Sequence, residues 1–208
     1  MTIDHRTMPK PFTGDIIERV EKLSTTVLSD AMGEGAMEHT MCPVSSKVNV
    51  IGTAITVRME GGDNTYFKKA ISRGKNGYVV VVDSQGDVPN AVFGEMMATA
   101  AKVAGLEGIV IDGLVRDTDV LSKIDLPVFC KGYTPKGPQK GGSGEINIAI
   151  SCGEVAVNAG DLIVGDSDGV VVVPRERVEE IIVKAEMKME DEEKHLQEIK
   201  DGFIELNW

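Results

Sequence analysis

Residues 78–117 read YVVVVDSQGDVPNAVFGEMMATAAKVAGLEGIVIDGLVRD. Two apolar, β-branched runs, at 78–83 and 108–112, flank an alanine-rich segment at 94–104. Strands without polar alternation are those buried on both faces, as in parallel sheets. The segment between them has helix-forming composition and is long enough for the crossover that parallel strands require. The unit predicts a parallel α/β layer.

Working outward, residues 52–57 (GTAITV) alternate and read as a further strand, and 64–73 reads as a helix. Upstream, Ile16, Ile17, Val20 and Leu23 recur at helical spacing, and a short second helix follows around residues 25–32. Residues 1–12 look like a loose arm ending in Pro9 and Pro11, and 39–43 reads as a loop. Downstream the pattern changes. Residues 131–145 (KGYTPKGPQKGGSGE) read as one Gly/Pro/Lys loop. Short strands are expected at 146–150, 154–157, 161–164 and 170–173, with Gly- and Asp-rich turns between them, as in an antiparallel or barrel-like sheet. From 177 to about 200 the spacing is helical, with Val178, Ile181, Ile182 and Ala185 on one stripe and the charged run EDEEK on another face. That charged face reads as solvated, or as part of an arm (177–208) laid on a neighbouring subunit. With no internal repeat and no linker, residues 1–208 are expected to form a single domain.

Composition narrows the function. The 208 residues are 42% hydrophobic and 26% charged, which is ordinary for a globular chain. The net charge of −11 argues against a nucleic-acid binder or an anionic membrane surface as partner. Residues 178–208 hold ten acidic side chains and four lysines, a net of −6, so the other 177 residues are nearly balanced. Cys42, Cys130 and Cys152 are far apart, without a CxxC, and read as buried free thiols of a reducing cytosol. The first fifteen residues lack the apolar stretch of a signal peptide, and no apolar run approaches the ~18 residues of a membrane span. A cytoplasmic, soluble protein is expected.

Several partial motifs are rejected. GYTPKGPQ (132–139) lacks the Lys-Ser/Thr pair of a P-loop, and GGSGEI (141–146) is not a dinucleotide fingerprint. DSDG (166–169) lies between two strand patterns and has no twelfth-position Glu, so it reads as a turn and not a calcium loop. His5, His39 and His195 are isolated and no GxSxG elbow is present.

Two segments carry chemistry. In 83–97, a buried strand ends at Asp83 and a helix opens near Gly94. Glycine there admits a ligand close to the backbone. The N–H groups of Gly94, Glu95, Met96 and Met97, with the helix dipole, make an anion site; the bland reading is that Gly94 only makes the turn. In 111–117, Arg116 and Asp117 follow another buried strand. Asp117 alone suits a hard divalent cation that keeps most of its waters, and Arg116 suits an oxyanion or carboxylate. The bland reading is a surface ion pair or a cap for the following TDVLSKI. Both segments sit at the carboxyl ends of adjacent parallel strands, where α/β sheets place ligands. Together they could polarise a 2-oxo acid and stabilise its enolate.

GEMMATAAKVAGLEGIVIDGLVRD, followed by GDLIVGDSDGVVVVPRE, resembles the RraA-like family, from LSDAMG at 28–33 onward. That family includes class II 4-hydroxy-4-methyl-2-oxoglutarate/4-carboxy-4-hydroxy-2-oxoadipate aldolases and the RraA regulators of RNase E. The resemblance implies a swivelling β/β/α three-layer fold, with a parallel central sheet and a second antiparallel sheet. It implies a trimer or a dimer of trimers with sites at subunit interfaces. It also implies that the backbone of Gly94–Met97 and Arg116 hold a pyruvate-type substrate, that Asp117 holds Mg²⁺ or Mn²⁺, and that Glu95 orders a metal-bound water. Lys140 is implied at the substrate's distal end, and a glutamate of the neighbouring subunit's last helix, Glu192 among Glu190, Glu192 and Glu193, near the site. The implied reaction is release of pyruvate from a 4-hydroxy-2-oxo acid, with oxaloacetate decarboxylation through the same enolate. The alternatives are a protein-binding regulator of an RNase E-like partner, or a lyase for a different 2-oxo acid.

Overall fold

The computed structural model describes residues 7–60, 62–85 and 89–203. Most of the amino-terminal arm (1–6), Asp87 of the 83–97 segment and the last five residues lie outside the described part. In chain order the elements are α1 (Asp15–Val20), α2 (Thr25–Met32), β1 (Cys42–Pro43), β2 (Val50–Met59), α3 (Thr65–Arg73), β3 (Tyr78–Asp83), β4 (Ala91–Phe93), α4 (Glu95–Ala104), β5 (Gly108–Val115), α5 (Thr118–Leu121), β6 (Val128–Tyr133), β7 (Gly144–Ile146), β8 (Ile150–Cys152), β9 (Val155–Val157), β10 (Leu162–Asp166), β11 (Gly169–Val173) and α6 (Val178–Lys200).

The fold is mixed α/β. One sheet runs β1-β6-β5-β3-β2-β10-β11, with β4 added to β5 and β7 to β2. Strands β2, β3, β5 and β6 are mutually parallel, as the central runs predict. The antiparallel strands β10 and β11, however, do not form a separate sheet. The ten-residue β2 is long enough to pair in parallel with β3 on one edge while β10 and β7 pair antiparallel along the two halves of its other edge. The second antiparallel sheet is only the β8–β9 hairpin. Two further expectations change. The 131–145 loop is shorter, because β6 continues to Tyr133 and β7 begins at Gly144. The strand expected at 146–150 is broken at Asn147, whose φ of 59° puts it in the left-handed region that asparagine tolerates but a strand does not. DSDG is the tight turn between β10 and β11. No helix among the described residues is long and apolar enough to cross a membrane.

Strand alternation divides the core. Val80, Val82, Ile109 and Ile111 face α3 and α4, where Phe67 stacks on Phe93 at 5.3 Å between centroids. Val79, Val81 and Val110 face the β8–β9 hairpin and Met37 and Met41. Burial on both faces is why these strands carry no polar alternation. Val178, Ile181, Ile182 and Ala185 seat α6 beside β10 and β11, and Arg19 of α1 ties to Glu186 at 2.6 Å. From Glu190 to Glu198 every residue of α6 is exposed. Cys130 and Cys152 are buried as expected, and burial pushes the Cys130 thiol up to about 12. Cys42 is exposed, because the two-residue β1 lies at the sheet's edge and covers little.

The parallel direction of β2, β3, β5 and β6 has one consequence for function. The segments that follow them, around 62–64, 84–85, 89–90, 116–117 and 134–142, all emerge at the same edge.

Candidate active site

At that edge Gly94 is the residue before α4, in extended backbone that any residue adopts. Its lack of a side chain is required for another reason. A Cβ there would lie 2.5 Å from Asp117 Oδ2 and 3.0 Å from Arg116 Cγ. Glycine therefore forms the floor on which both side chains lie, so Gly94 does more than make the turn.

Asp117 has φ 60° and ψ 39°, left-handed for a non-glycine residue. Such a conformation costs about 1–2 kcal/mol. It precedes α5, yet its side chain makes no capping bond there. Its Oδ2 instead accepts the Glu95 N–H at 3.0 Å, at the amino end of α4, and lies 3.7 Å from Arg116 Nε. This excludes the reading of Asp117 as a cap for the following helix. Among the described residues both contacts of the carboxylate use Oδ2, and the side chain is 39% exposed. No described residue is bonded to Oδ1.

A pocket of about 200 Å³ lies over this floor. Gly94, Met96, Met97, Arg116 and Asp117, singled out in the sequence, all line it. Asn64, Lys68 and Pro138 line it too, and sequence reasoning missed them. The rule that flagged the segments after β3 and β5 applies equally to the residues after β2, where Asn64 and Lys68 stand one helical turn apart. Asn64 is buried and donates to the Val92 carbonyl at 3.0 Å and to Met97 Sδ at 3.2 Å, so it holds the pocket wall.

The 134–142 loop closes one side and is anchored along its length. The Asn90 amide donates to the Gly137 carbonyl and the Ala91 N–H to the Lys136 carbonyl at 2.8 Å. Gly137 passes so close to the Arg116 guanidinium that a Cβ would lie 3.0 Å from Nη1. Farther along, buried Asp63 accepts the N–H groups of Gly141 at 2.6 Å and Gly142 at 3.1 Å, and that of Thr65 at 2.7 Å. The Thr65 hydroxyl and these N–H groups hold its carboxyl below the usual carboxylate range, although burial works the other way.

The RraA-like family model, described as Aldolase/RraA, matches residues 25–172. The chain belongs to this family. A relative from Halalkalibacterium halodurans named "Putative 4-hydroxy-4-methyl-2-oxoglutarate aldolase" is 37% identical over 92% of each chain. The RNA-processing inhibitor RraA of Thermus thermophilus superposes with a TM-score of 0.67 at 30% identity, over 73% of this chain and 92% of that one. An uncharacterised Pseudomonas syringae protein, at 24% identity, has the same fold, with a TM-score of 0.83 over 97% of this chain and 95% of the other.

The RraA-like chain does not bring every expected residue together. The Glu95 side chain is exposed and lies outside the pocket wall, though its N–H binds Asp117. Lys140 is exposed and also outside the wall, between the anchored Gln139 and Gly141. Glu192 is on the exposed end of α6 and pairs with Lys188 at 3.3 Å. No group of three metal-ligating side chains occurs among the described residues. The donor set fits a hard cation that takes one carboxylate oxygen, here Asp117 Oδ1, and fills its other positions with water or substrate oxygen. It does not fit a closed structural zinc site.

Proposed function

We propose that this chain is a divalent-metal-dependent pyruvate aldolase. Its substrate is a 4-hydroxy-2-oxo acid such as 4-hydroxy-4-methyl-2-oxoglutarate, and oxaloacetate decarboxylation is a side activity. The observation that carries the reading is the half-used carboxylate of Asp117 beside Arg116, both laid on Gly94 at the amino end of α4. The relative's printed name points to the same reaction.

Mg²⁺ or Mn²⁺ held by Asp117 supplies Lewis-acid polarisation of the 2-oxo group when bound. The Arg116 guanidinium, restrained by Gly137, faces the C2 oxygen and stabilises the negative charge that develops there. The amino end of α4, whose Glu95 N–H already serves Asp117, offers its remaining positive potential to the C1 carboxylate. Glu95, acting through one water, takes the C4 hydroxyl proton. As the C3–C4 bond breaks, its electron pair enters the C2–C3 enolate and C4 leaves as a carbonyl. Protonation at C3 then gives pyruvate. Loss of CO₂ from C4 of oxaloacetate gives the same enolate. The substrate site is expected to be completed in a trimer or dimer of trimers by Glu192 of the neighbouring subunit.

The test is pyruvate release from both compounds with Mg²⁺ and with EDTA, for the wild type and for Asp117→Ala and Arg116→Ala. Metal-dependent release lost in both variants supports the reading. Absence of release from the folded, metal-loaded protein overturns it. The likeness to the Thermus inhibitor favours one second reading, a regulator that binds an RNase E-type enzyme. Inhibition of such an enzyme that survives Arg116→Ala would favour it.

A further inference from the structure

We propose that Lys68 reads the second carboxylate of a dicarboxylic substrate. The inference rests on the aldolase reading and adds its specificity determinant. Lys68 follows Asn64 by one turn of α3, so the two share a helix face. Both residues line the pocket, Asn64 buried and Lys68 exposed to solvent.

Lys68 also has no competing ion pair among the described residues, whereas neighbouring Lys69 lies over the Tyr66 ring at 4.3 Å, and Lys131, Lys184, Lys188 and Lys194 are all paired with carboxylates. An unpaired cation lining a small pocket is available to a ligand.

Charge balance indicates which ligand. The pocket wall carries Arg116 and Lys68 against the single carboxylate of Asp117. In the proposed reaction Arg116 and the amino end of α4 serve C1 and C2 of the substrate, so a monocarboxylate leaves Lys68 without a counterion. A 2-oxo acid with a second carboxylate beyond C4 supplies one. A lysine ammonium is a compact charge on a flexible stem, so it accepts that carboxylate over a range of positions, unlike a bidentate arginine. The structure assigns this task to Lys68 in preference to Lys140, which lies outside the wall.

The experiment compares Lys68→Ala, Lys68→Arg and Lys140→Ala with the wild type, all with Mg²⁺. Steady-state kinetics on 4-hydroxy-4-methyl-2-oxoglutarate and oxaloacetate are set beside calorimetric binding of pyruvate, which lacks the second carboxylate. Lys68→Ala is expected to raise KM for 4-hydroxy-4-methyl-2-oxoglutarate, whose second carboxylate is attached to C4, about tenfold or more, the loss of one charged hydrogen bond. Oxaloacetate, which has no carboxylate beyond C4, should be affected less. Pyruvate affinity should stay within about twofold, and Lys68→Arg should recover most of the KM. Lys68 is exposed, so circular dichroism should show an unchanged fold. An unchanged KM in Lys68→Ala with a raised KM in Lys140→Ala would transfer the role to Lys140 and overturn the proposal. An equal loss of pyruvate affinity would also overturn it, since Lys68 would then act on the common half of the ligand. Failure of the wild type to bind pyruvate would instead bring down the aldolase reading on which the proposal stands.

Discussion

Asp112 and Asp117 lie five residues apart, on β5 and just beyond it, and their surroundings are opposite. The Asp112 carboxylate is used in full: Oδ1 meets Lys131 Nζ at 2.7 Å and Oδ2 accepts the Gly153 N–H at 2.7 Å. Lys131 is held again by Glu38 at 2.5 Å. Burial works to lower the lysine's pKa, but the hydrogen bonds to Asp112 and Glu38 outweigh it and hold it raised. Asp117 spends one oxygen on the Glu95 N–H, keeps a left-handed backbone and lies on a glycine floor. A polar group satisfied on every side belongs to the fold. A strained residue with an oxygen in hand is where chemistry is to be sought. The comparison therefore separates a carboxylate satisfied within the fold from one that keeps an oxygen in hand a few residues along the same chain segment.

The largest expected effect tests the functional half. Asparagine tolerates the left-handed region, so Asp117→Asn should fold with an unchanged thermal midpoint. Metal-dependent pyruvate release should fall by about a thousandfold or more, the equivalent of several kcal/mol of lost Lewis-acid positioning. Retention of activity within tenfold would remove Asp117 from the centre of the site.

Gly94→Ala comes next. Its methyl group meets Asp117 Oδ2 at 2.5 Å, and Asp117 and Arg116 must both give way. Displacements near 1 Å at reacting groups cost about a hundredfold. The kcat should drop by that order while the urea midpoint hardly moves, because the strain falls on exposed side chains. A drop in stability with normal activity would mean that Gly94 serves the fold after all.

Asp112→Asn sharpens the structural half. Lys131 would keep Glu38 but lose its other counterion, and the Gly153 N–H would lose an ionised acceptor. A loss of about 2 kcal/mol is expected by urea denaturation, discounted from the value for a fully buried pair because Lys131 is one-third exposed. Activity of the folded fraction should be within twofold of wild type. A catalytic defect without a stability defect would invert the comparison.

The sequence made the Asp117 side of the comparison legible and the Asp112 side illegible, for a physical reason. Strand runs such as YVVVVD and GIVID, and the Gly94–Glu95 helix start, are local signals, and local signals also place Arg116 and Asp117 at the carboxyl end of β5. What Asp112 meets is set by Lys131, Glu38 and Gly153, which are distant in sequence, and no spacing rule connects them. Lys68 and Asn64 are a different case: they follow the parallel strand β2, so the strand-end rule that flagged Arg116 and Asp117 reaches them as well. The junction of parallel and antiparallel strands on the two edges of β2 was invisible, since alternation shows burial and not partners. Lys140 shows the reverse case: the resemblance assigned it, but it lies outside the pocket wall, while Glu192 was assigned to a neighbouring subunit's site and not to this chain's own.

The smallest effects extend the contrast to a second pair of carboxylates at this edge. Asp63, which anchors the 139–142 loop, has its pKa depressed by the Thr65 hydroxyl and the surrounding N–H groups. A depressed carboxyl contributes stability that is present above the ordinary carboxyl pKa and lost as pH falls through its own lower value. The loop anchor should therefore hold through the mildly acidic range, and Asp63→Asn should flatten the acid limb of the stability curve. Asp83, at the end of β3, is shifted the opposite way. Burial raises it, the Gln85 N–H opposes, and adjacent Asp112 raises it further. In its case the folded state prefers the proton, so the contribution is lost as pH rises through the raised pKa. Asp83→Asn should then match wild type in acid and exceed it near neutrality. Urea denaturation of both variants from about pH 3 to pH 8 measures the two slopes. If both slopes had the same sign, the separation of anchoring from merely buried carboxylates at this edge would fail, and with it the argument that the loop beside Arg116 is held by a charge.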